Sequence, residues 1–198
     1  MLTRRHFIAT GAAITAFAAH PAFSQEAEVP APEAPIIPAD PLAPTLVTLA
    51  GVVPVNEIHM DPNTFRLYLT IGGDQAMRYA VGVGRPGLYE PGSFFVGAKK
   101  KWPSWTPTPE MIARDPGSYE RFKDGVEGGP NNPLGARALY LFQPGRGDTY
   151  LRIHGTNAPR TIGTAVSNGC ARLTNEFVVD LYDRTPMQSR VFLYPRDA

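Results

Sequence analysis

Between residues 65 and 71 apolar and polar side chains alternate, with Phe65, Leu67, Leu69 and Ile71 on one register and Arg66, Tyr68 and Thr70 on the other. That two-residue period predicts a half-buried strand. Asp61-Pro62-Asn63 ahead of it has turn chemistry, and Ile58 with Met60 marks the partner strand. Gly72-Gly73-Asp74 ends the second strand, after which Met77, Tyr79, Val81 and Val83 carry a third alternating run. Further strands are predicted at residues 93–96, 138–142, 150–154 and 191–194, punctuated by Pro and Gly clusters. Helical spacing is sparse. A short helix is predicted at residues 111–114 and a longer one at 175–184, where Thr174 or Asn175 caps the start and Pro186 closes the end. Glu176 suits the positive end of that helix, and Val178, Leu181 and Tyr182 fall on one face. No internal repeat interrupts the pattern. The expected class is mainly β, with one or two short helices packed on a sheet.

Composition divides the 198 residues into three stretches. Residues 1–24 carry the parts of an export signal: Arg4 and Arg5, an uncharged stretch over residues 7–19, and Ala22-Phe23-Ser24 as a cleavage site. Only four bulky apolar residues (Phe7, Ile8, Ile14, Phe17) fill that stretch. TRRHFI therefore looks like a twin-arginine signal, with a general secretory signal as the alternative. Either route implies an exported protein of the periplasm or cell envelope. Residues 25–45 read as a linker, since Pro and Ala fill 11 of the 20 positions from 26 to 45. Residues 46–198 remain as the folded domain, and a 43% hydrophobic content supplies its core. With 19 Lys and Arg against 18 Asp and Glu, an overall basic nucleic-acid binder is excluded. No stretch reaches the roughly 18 apolar residues of a membrane span, so none is expected after signal cleavage.

The chemistry concentrates in residues 151–173. Cys170 is the one cysteine, so no intramolecular disulfide can form. A lone cysteine is either a small buried apolar residue or a nucleophile with a histidine elsewhere as its base. Ser167-Asn168-Gly169 precedes it with turn-forming chemistry, which places the sulfur at a bend and favours the nucleophile. Of the four histidines, His6 and His20 leave with the signal. His59 lies between two core-facing residues and should point away from the core, at the surface. His154 ends a predicted strand and meets the turn Gly155-Thr156-Asn157, where catalytic side chains are commonly displayed. By elimination His154 is the base.

These residues carry a resemblance. IHGTNAP, 15 intervening residues between His154 and Cys170, and SNGCAR resemble the L,D-transpeptidase (YkuD-like) catalytic domain. The likeness extends over about residues 52–195 and includes PGSFF at 91–95, WPSWTPTPEMI at 102–112 and NNPLGARALYLF at 131–142. It implies a β-sandwich with histidine and cysteine facing each other across a cleft. It also implies that Cys170 attacks the bond between a diamino acid and D-Ala in a peptidoglycan tetrapeptide stem. D-Ala would leave, and an amine (a second stem peptide, a D-amino acid or a wall-linked protein) would take the acyl group. His154 would shuttle the proton, with its ring oriented by the Gly155 carbonyl. Backbone N–H groups around Gly169 and Cys170 would form the oxyanion hole, within the turn begun by Ser167. Arg172 matches a family arginine and suits a stem carboxylate, with a structural salt bridge as the alternative. Thr156, Asn157 and Trp105 are further candidates for substrate binding.

One position departs from the family pattern of Ser/Thr-His-Gly-Cys: Asn168 stands where the pattern has histidine. An amide donates a hydrogen bond but carries no proton, so rate, acceptor choice or oxyanion geometry could differ. Three outcomes follow for the same site: a transpeptidase, a carboxypeptidase or hydrolase using the same acyl-enzyme, or an inactive peptidoglycan-binding module. Lys99-Lys100-Lys101 is expected in a solvated hairpin, with a contact to acidic stem peptides as the alternative. Trp102 and Trp105, set among prolines, form either a wall over the cleft or part of the core. No metal cluster or phosphate loop is present in the sequence, and no cofactor is implied.

Overall fold

A computed structural model describes residues 40–197; the predicted signal and the linker up to residue 39 lie outside the described residues. The chain runs through β1 (Thr45–Thr48), β2 (Ile58–Asp61), β3 (Arg66–Gly72), β4 (Gln75–Ala80), β5 (Val83–Gly84) and β6 (Gly92–Lys101). The helices α1 (Pro109–Arg114) and α2 (Pro116–Tyr119) follow, and then β7 (Arg137–Gln143), β8 (Gly147–His154), β9 (Ala165–Ser167) and β10 (Ala171–Arg172). The helix α3 (Asn175–Arg184) and β11 (Arg190–Leu193) complete it.

Nine strands form one sheet in the order β1-β4-β3-β2-β11-β6-β7-β8-β10, and β5 pairs separately with β9. Neighbouring strands lie about 4.8 Å apart, so in a flat sheet β4 and β10 would be separated by roughly 34 Å. Instead Gly82, just beyond β4, exchanges two backbone hydrogen bonds with Arg172 on β10, at 2.9 and 2.8 Å. The sheet therefore curls until its far ends meet, and its inner faces close on one core as a β-sandwich. Ile58, Leu67, Leu69, Leu139, Ile153 and Val191, drawn from both halves, belong to that single cluster.

The alternation at 65–71 holds for Leu67 and Leu69, both buried, and then breaks. A bulge between Thr70 and Gly72 shifts the register, and the phase reverses: Thr70 is buried and Ile71 is 38% exposed. Burial of Thr70 is satisfied locally, since its hydroxyl donates to the Pro54 carbonyl (2.6 Å) and accepts from the Glu57 N–H (2.8 Å).

The helix α3 spans the residues its spacing predicts, with Thr174 accepting from the Phe177 N–H as its N-cap. Phe177, Val178 and Leu181 are its buried face. Lys99 corrects the expected lysine hairpin. The three lysines lie within β6, and the Lys99 ammonium donates to the carbonyls of Tyr182 and Thr185 at the negative end of α3. Strand β6 runs through the lysines by pairing Lys99, Lys100 and Lys101 with Leu139, Ala138 and Arg137 of β7.

No helix among the described residues is long and apolar enough to cross a membrane.

Candidate active site

The strand β8 sends Leu151 and Ile153 into the core, which leaves Arg152 and His154 for the opposite face. On its other side runs β10, parallel, with Ala171 opposite Ile153 and Arg172 opposite His154. By the same period Cys170, one residue before β10, shares the face of Arg172. Cys170, His154, Arg152 and Arg172 accordingly line one cavity of about 980 Å³. The residues that the sequence singles out are thus brought together by strand register.

The His154 ring is held from its own backbone. Its Nδ1 lies 2.5 Å from the Gly155 carbonyl, and since a carbonyl only accepts, Nδ1 carries the hydrogen and Nε2 the lone pair. Gly155 has no room for a side chain: a Cβ there would meet the Asn175 amide oxygen. That oxygen accepts from the Ala136 N–H at 2.9 Å and ties the start of β7 to α3. The packed junction fixes the carbonyl that aims the ring.

The turn before Cys170 is stapled by Ser167. Its hydroxyl donates to the Cys170 carbonyl (2.6 Å) and accepts from the Gly169 N–H (3.3 Å). Gly169 adopts φ +120°, and a Cβ there would come within 2.9 Å of the Leu88 carbonyl. The Gly169 N–H, one of the two expected oxyanion donors, is therefore engaged by Ser167.

Burial pushes the His154 imidazole down to about 4, and the positive charges of Arg172 and Arg152 act in the same direction. The Gly155 and Leu134 carbonyls oppose this without overcoming it. Burial pushes the Cys170 thiol up, against the pull of the Arg152 backbone N–H and the two arginine charges. At neutral pH the resting pair is a neutral thiol and a neutral imidazole. The thiol lies 3.9 Å from the Tyr150 carbonyl, its acceptor.

Arg172, Thr156, Asn157 and Trp105 all line the cavity. The Arg172 Nε and Nη2 are buried without a hydrogen-bond partner among the described residues. The salt bridge weighed as its alternative role is not formed there. Thr156 accepts from the Ala158 N–H at 3.0 Å, and Asn157 donates to the Asn131 carbonyl at 2.9 Å, so both also brace their loop. Trp105 packs against Tyr119 and Phe122 as an aromatic wall, whereas Trp102 is exposed. His59 is remote from this cavity. Its ring stacks on Phe192, with Nδ1 at 2.8 Å from the Tyr194 hydroxyl and Nε2 at 3.3 Å from Glu57, half-buried rather than free at the surface.

Several neighbours of the site are not singled out by the sequence. Arg152 is held bidentately by Asp148 (2.6 and 2.8 Å) and lies 3.9 Å over the Tyr140 ring. Tyr150 stands at the mouth, 72% exposed, with a left-handed backbone at φ 61°. The alternating period that predicts this strand also contains Arg152, and its face was the available signal. Arg85, Arg114 and Tyr119 reach Asn168 from distant parts of the chain.

Comparison with known proteins places these features in a family. The L,D-transpeptidase catalytic domain (YkuD) family matches residues 56–193, a stretch that includes both His154 and Cys170. Probable L,D-transpeptidase YbiS of Escherichia coli is 38% identical over 126 residues, covering 63% of this chain and 39% of that protein. The chain spans less than half the length of the curated relatives it matches. Among solved structures, one from Brucella melitensis described as a probable carnitine operon oxidoreductase is 50% identical, with a TM-score of 0.53. The match covers 76% of this chain and 91% of that one, and its description names an activity of the Brucella protein. L,D-transpeptidase 3 from Mycobacterium tuberculosis is 17% identical at a TM-score of 0.52, over 70% of this chain and 60% of that chain, a likeness of fold. With 56–193 matched end to end, this chain belongs to the YkuD family of L,D-transpeptidase catalytic domains.

Proposed function

We propose that the domain is a peptidoglycan L,D-transpeptidase. Cys170 attacks the carbonyl between the diamino acid and D-Ala of a tetrapeptide stem. The observation that carries this reading is the shared cavity: His154 at the end of β8 and Cys170, one residue before the neighbouring β10, both line it, with the imidazole's Nε2 left as the acceptor.

As Sγ bonds to the carbonyl carbon, the thiol proton passes to Nε2, and the imidazolium returns it to the departing D-Ala amine. An acyl-enzyme remains on Cys170. An amine acceptor attacks it, loses its proton through the same histidine, and regenerates the thiol. A neutral resting pair fits this sequence, because the proton moves during attack. Arg152 and Arg172 then favour the sulfur's negative charge as it develops. The Cys170 N–H is the first oxyanion donor. The Gly169 N–H joins it by exchanging Ser167 for the developing oxyanion. The Arg172 guanidinium, on a residue that lines the cavity, suits a stem carboxylate, for which a planar fork is well matched.

Water in place of the amine would make the same site a carboxypeptidase, and loss of turnover would make it a binding module. Export to the periplasm or cell envelope, with stem peptides and an amine acceptor as partners, belongs to the same proposal. No cofactor enters any step. Incubation of residues 25–198 with tetrapeptide muropeptides, analysed by mass spectrometry, is expected to give D-Ala and cross-linked or amine-exchanged products. Tripeptide alone would identify hydrolysis, and unchanged tetrapeptide would remove the proposal.

A further inference from the structure

Residues 102–136 cross the cavity between β6 and β7, and their helical part is weakly anchored. No residue of α1, α2 or the 3-10 turn Glu120–Phe122 is buried. A segment with so little buried surface opens at low free energy. Its inner side nonetheless contributes Trp105, Arg114, Tyr119 and Phe122 to the cavity wall.

One side chain joins this segment to the turn that carries the nucleophile. The Asn168 Oδ1 accepts from the Arg114 guanidinium at the end of α1 (3.2 Å) and from the Arg85 guanidinium beyond β5 (2.8 Å). Its Nδ2 donates to the Tyr119 hydroxyl at the end of α2 (2.7 Å). Tyr119 in turn packs against Trp105, and Trp105 is fixed to its own segment by paired backbone bonds with Val126 (2.9 and 2.7 Å). Three elements therefore converge on one amide two residues from Cys170.

The chemistry of the amide suits this task. It accepts twice on one oxygen and donates from its nitrogen, which a neutral imidazole, with one acceptor and one donor, cannot reproduce. The residue that departs from the family pattern is matched to the arginines and tyrosine around it.

We propose that Asn168 is a positioning residue that latches the 102–136 segment over the cavity lined by Cys170. Resting on the transpeptidase reading for its kinetic consequence alone, the latch sets the fraction of molecules competent to hold a stem peptide. Breaking it raises KM by the reciprocal of that fraction while kcat, set within the closed complex, is preserved.

Three variants of residues 25–198 test this: Asn168→Leu, Asn168→Asp and Tyr119→Phe. Asn168→Leu removes all three bonds. Amide hydrogen exchange across residues 109–122 should accelerate about tenfold or more, iodoacetamide should alkylate Cys170 faster, and KM for a tetrapeptide muropeptide should rise with little change in kcat. Asn168→Asp accepts from both arginines and from the tyrosine hydroxyl, and should restore wild-type exchange. Tyr119→Phe cuts one bond from the segment's own side without touching the turn, so it should give a smaller change of the same sign even if Asn168→Leu does not fold. Unchanged exchange in Tyr119→Phe, or equal loss of protection in Asn168→Asp and Asn168→Leu, would overturn the latch. Exchange and alkylation need no turnover, so a wild type that releases no D-Ala would remove the transpeptidase reading and leave this result intact.

Discussion

Arg172 stands opposite His154 in the parallel pairing of β10 with β8, which puts a permanent cation on the face that carries the imidazole and the thiol. Burial holds the histidine neutral and this charge acts in the same direction, while on the thiol the charge pulls the pKa down against burial. Replacing it with a neutral side chain should raise both. In Arg172→Gln the pH midpoint for alkylation of Cys170 should move up, and KM for stem peptide should rise about tenfold or more through loss of a charge-assisted contact. An unchanged KM with a shifted midpoint would confine Arg172 to electrostatics.

The His154 pKa of about 4 has a consequence for stability. In the unfolded chain the ring takes up a proton below about 6.5, whereas the folded site resists it. Stability is therefore full above 6.5 and is lost as the pH falls toward 4, by up to about 3 kcal/mol from this group. His154→Gln should lose less stability than wild type between pH 7 and 4 in denaturant titrations. Equal losses would mean that the ring is not buried as described.

Ser167→Ala removes the staple between the Gly169 N–H and the Cys170 carbonyl. Destabilisation of about 1 kcal/mol is expected, with kcat reduced more than KM is raised, because the turn places both the nucleophile and its neighbouring N–H groups. Kinetics on tetrapeptide muropeptide alongside urea unfolding separate the two effects.

Lys99 is expected to matter for the fold and not for substrate. Lys99→Met leaves the Tyr182 and Thr185 carbonyls without their cation and should cost about 1–2 kcal/mol, while kcat/KM at a temperature well below unfolding stays unchanged. A marked loss of kcat/KM would return the lysine to a role with acidic stem peptides.

Legibility in the sequence followed the range of the forces involved. The helix at 175–184 was readable because its cap, its face and its closing Pro186 are all local. Strand positions were readable from the two-residue period until the bulge at Thr70 reversed it, since a bulge depends on the partner strand. Cys170 and His154 were found through turn chemistry and a family spacing, and their common face required the β8–β10 register. Strand β10 has only two residues, too few for any period to mark. The three partners of Asn168 lie 83, 54 and 49 residues away along the chain, so no local pattern could announce them. Lys99 is illegible for a related reason: a charge run looks solvated until a helix end is brought to it.

The central claim is that Cys170 carries the acyl group and His154 moves the proton. Its most direct test is D-Ala release from a tetrapeptide muropeptide, followed by mass spectrometry, in wild type, Cys170→Ala, His154→Ala and His59→Ala. The account predicts release by wild type and His59→Ala, with an acyl mass trapped on Cys170 when acceptor is withheld, and none by Cys170→Ala. His154→Ala should be slowed by about 100-fold or more. D-Ala release by Cys170→Ala, or normal turnover by His154→Ala, would contradict it.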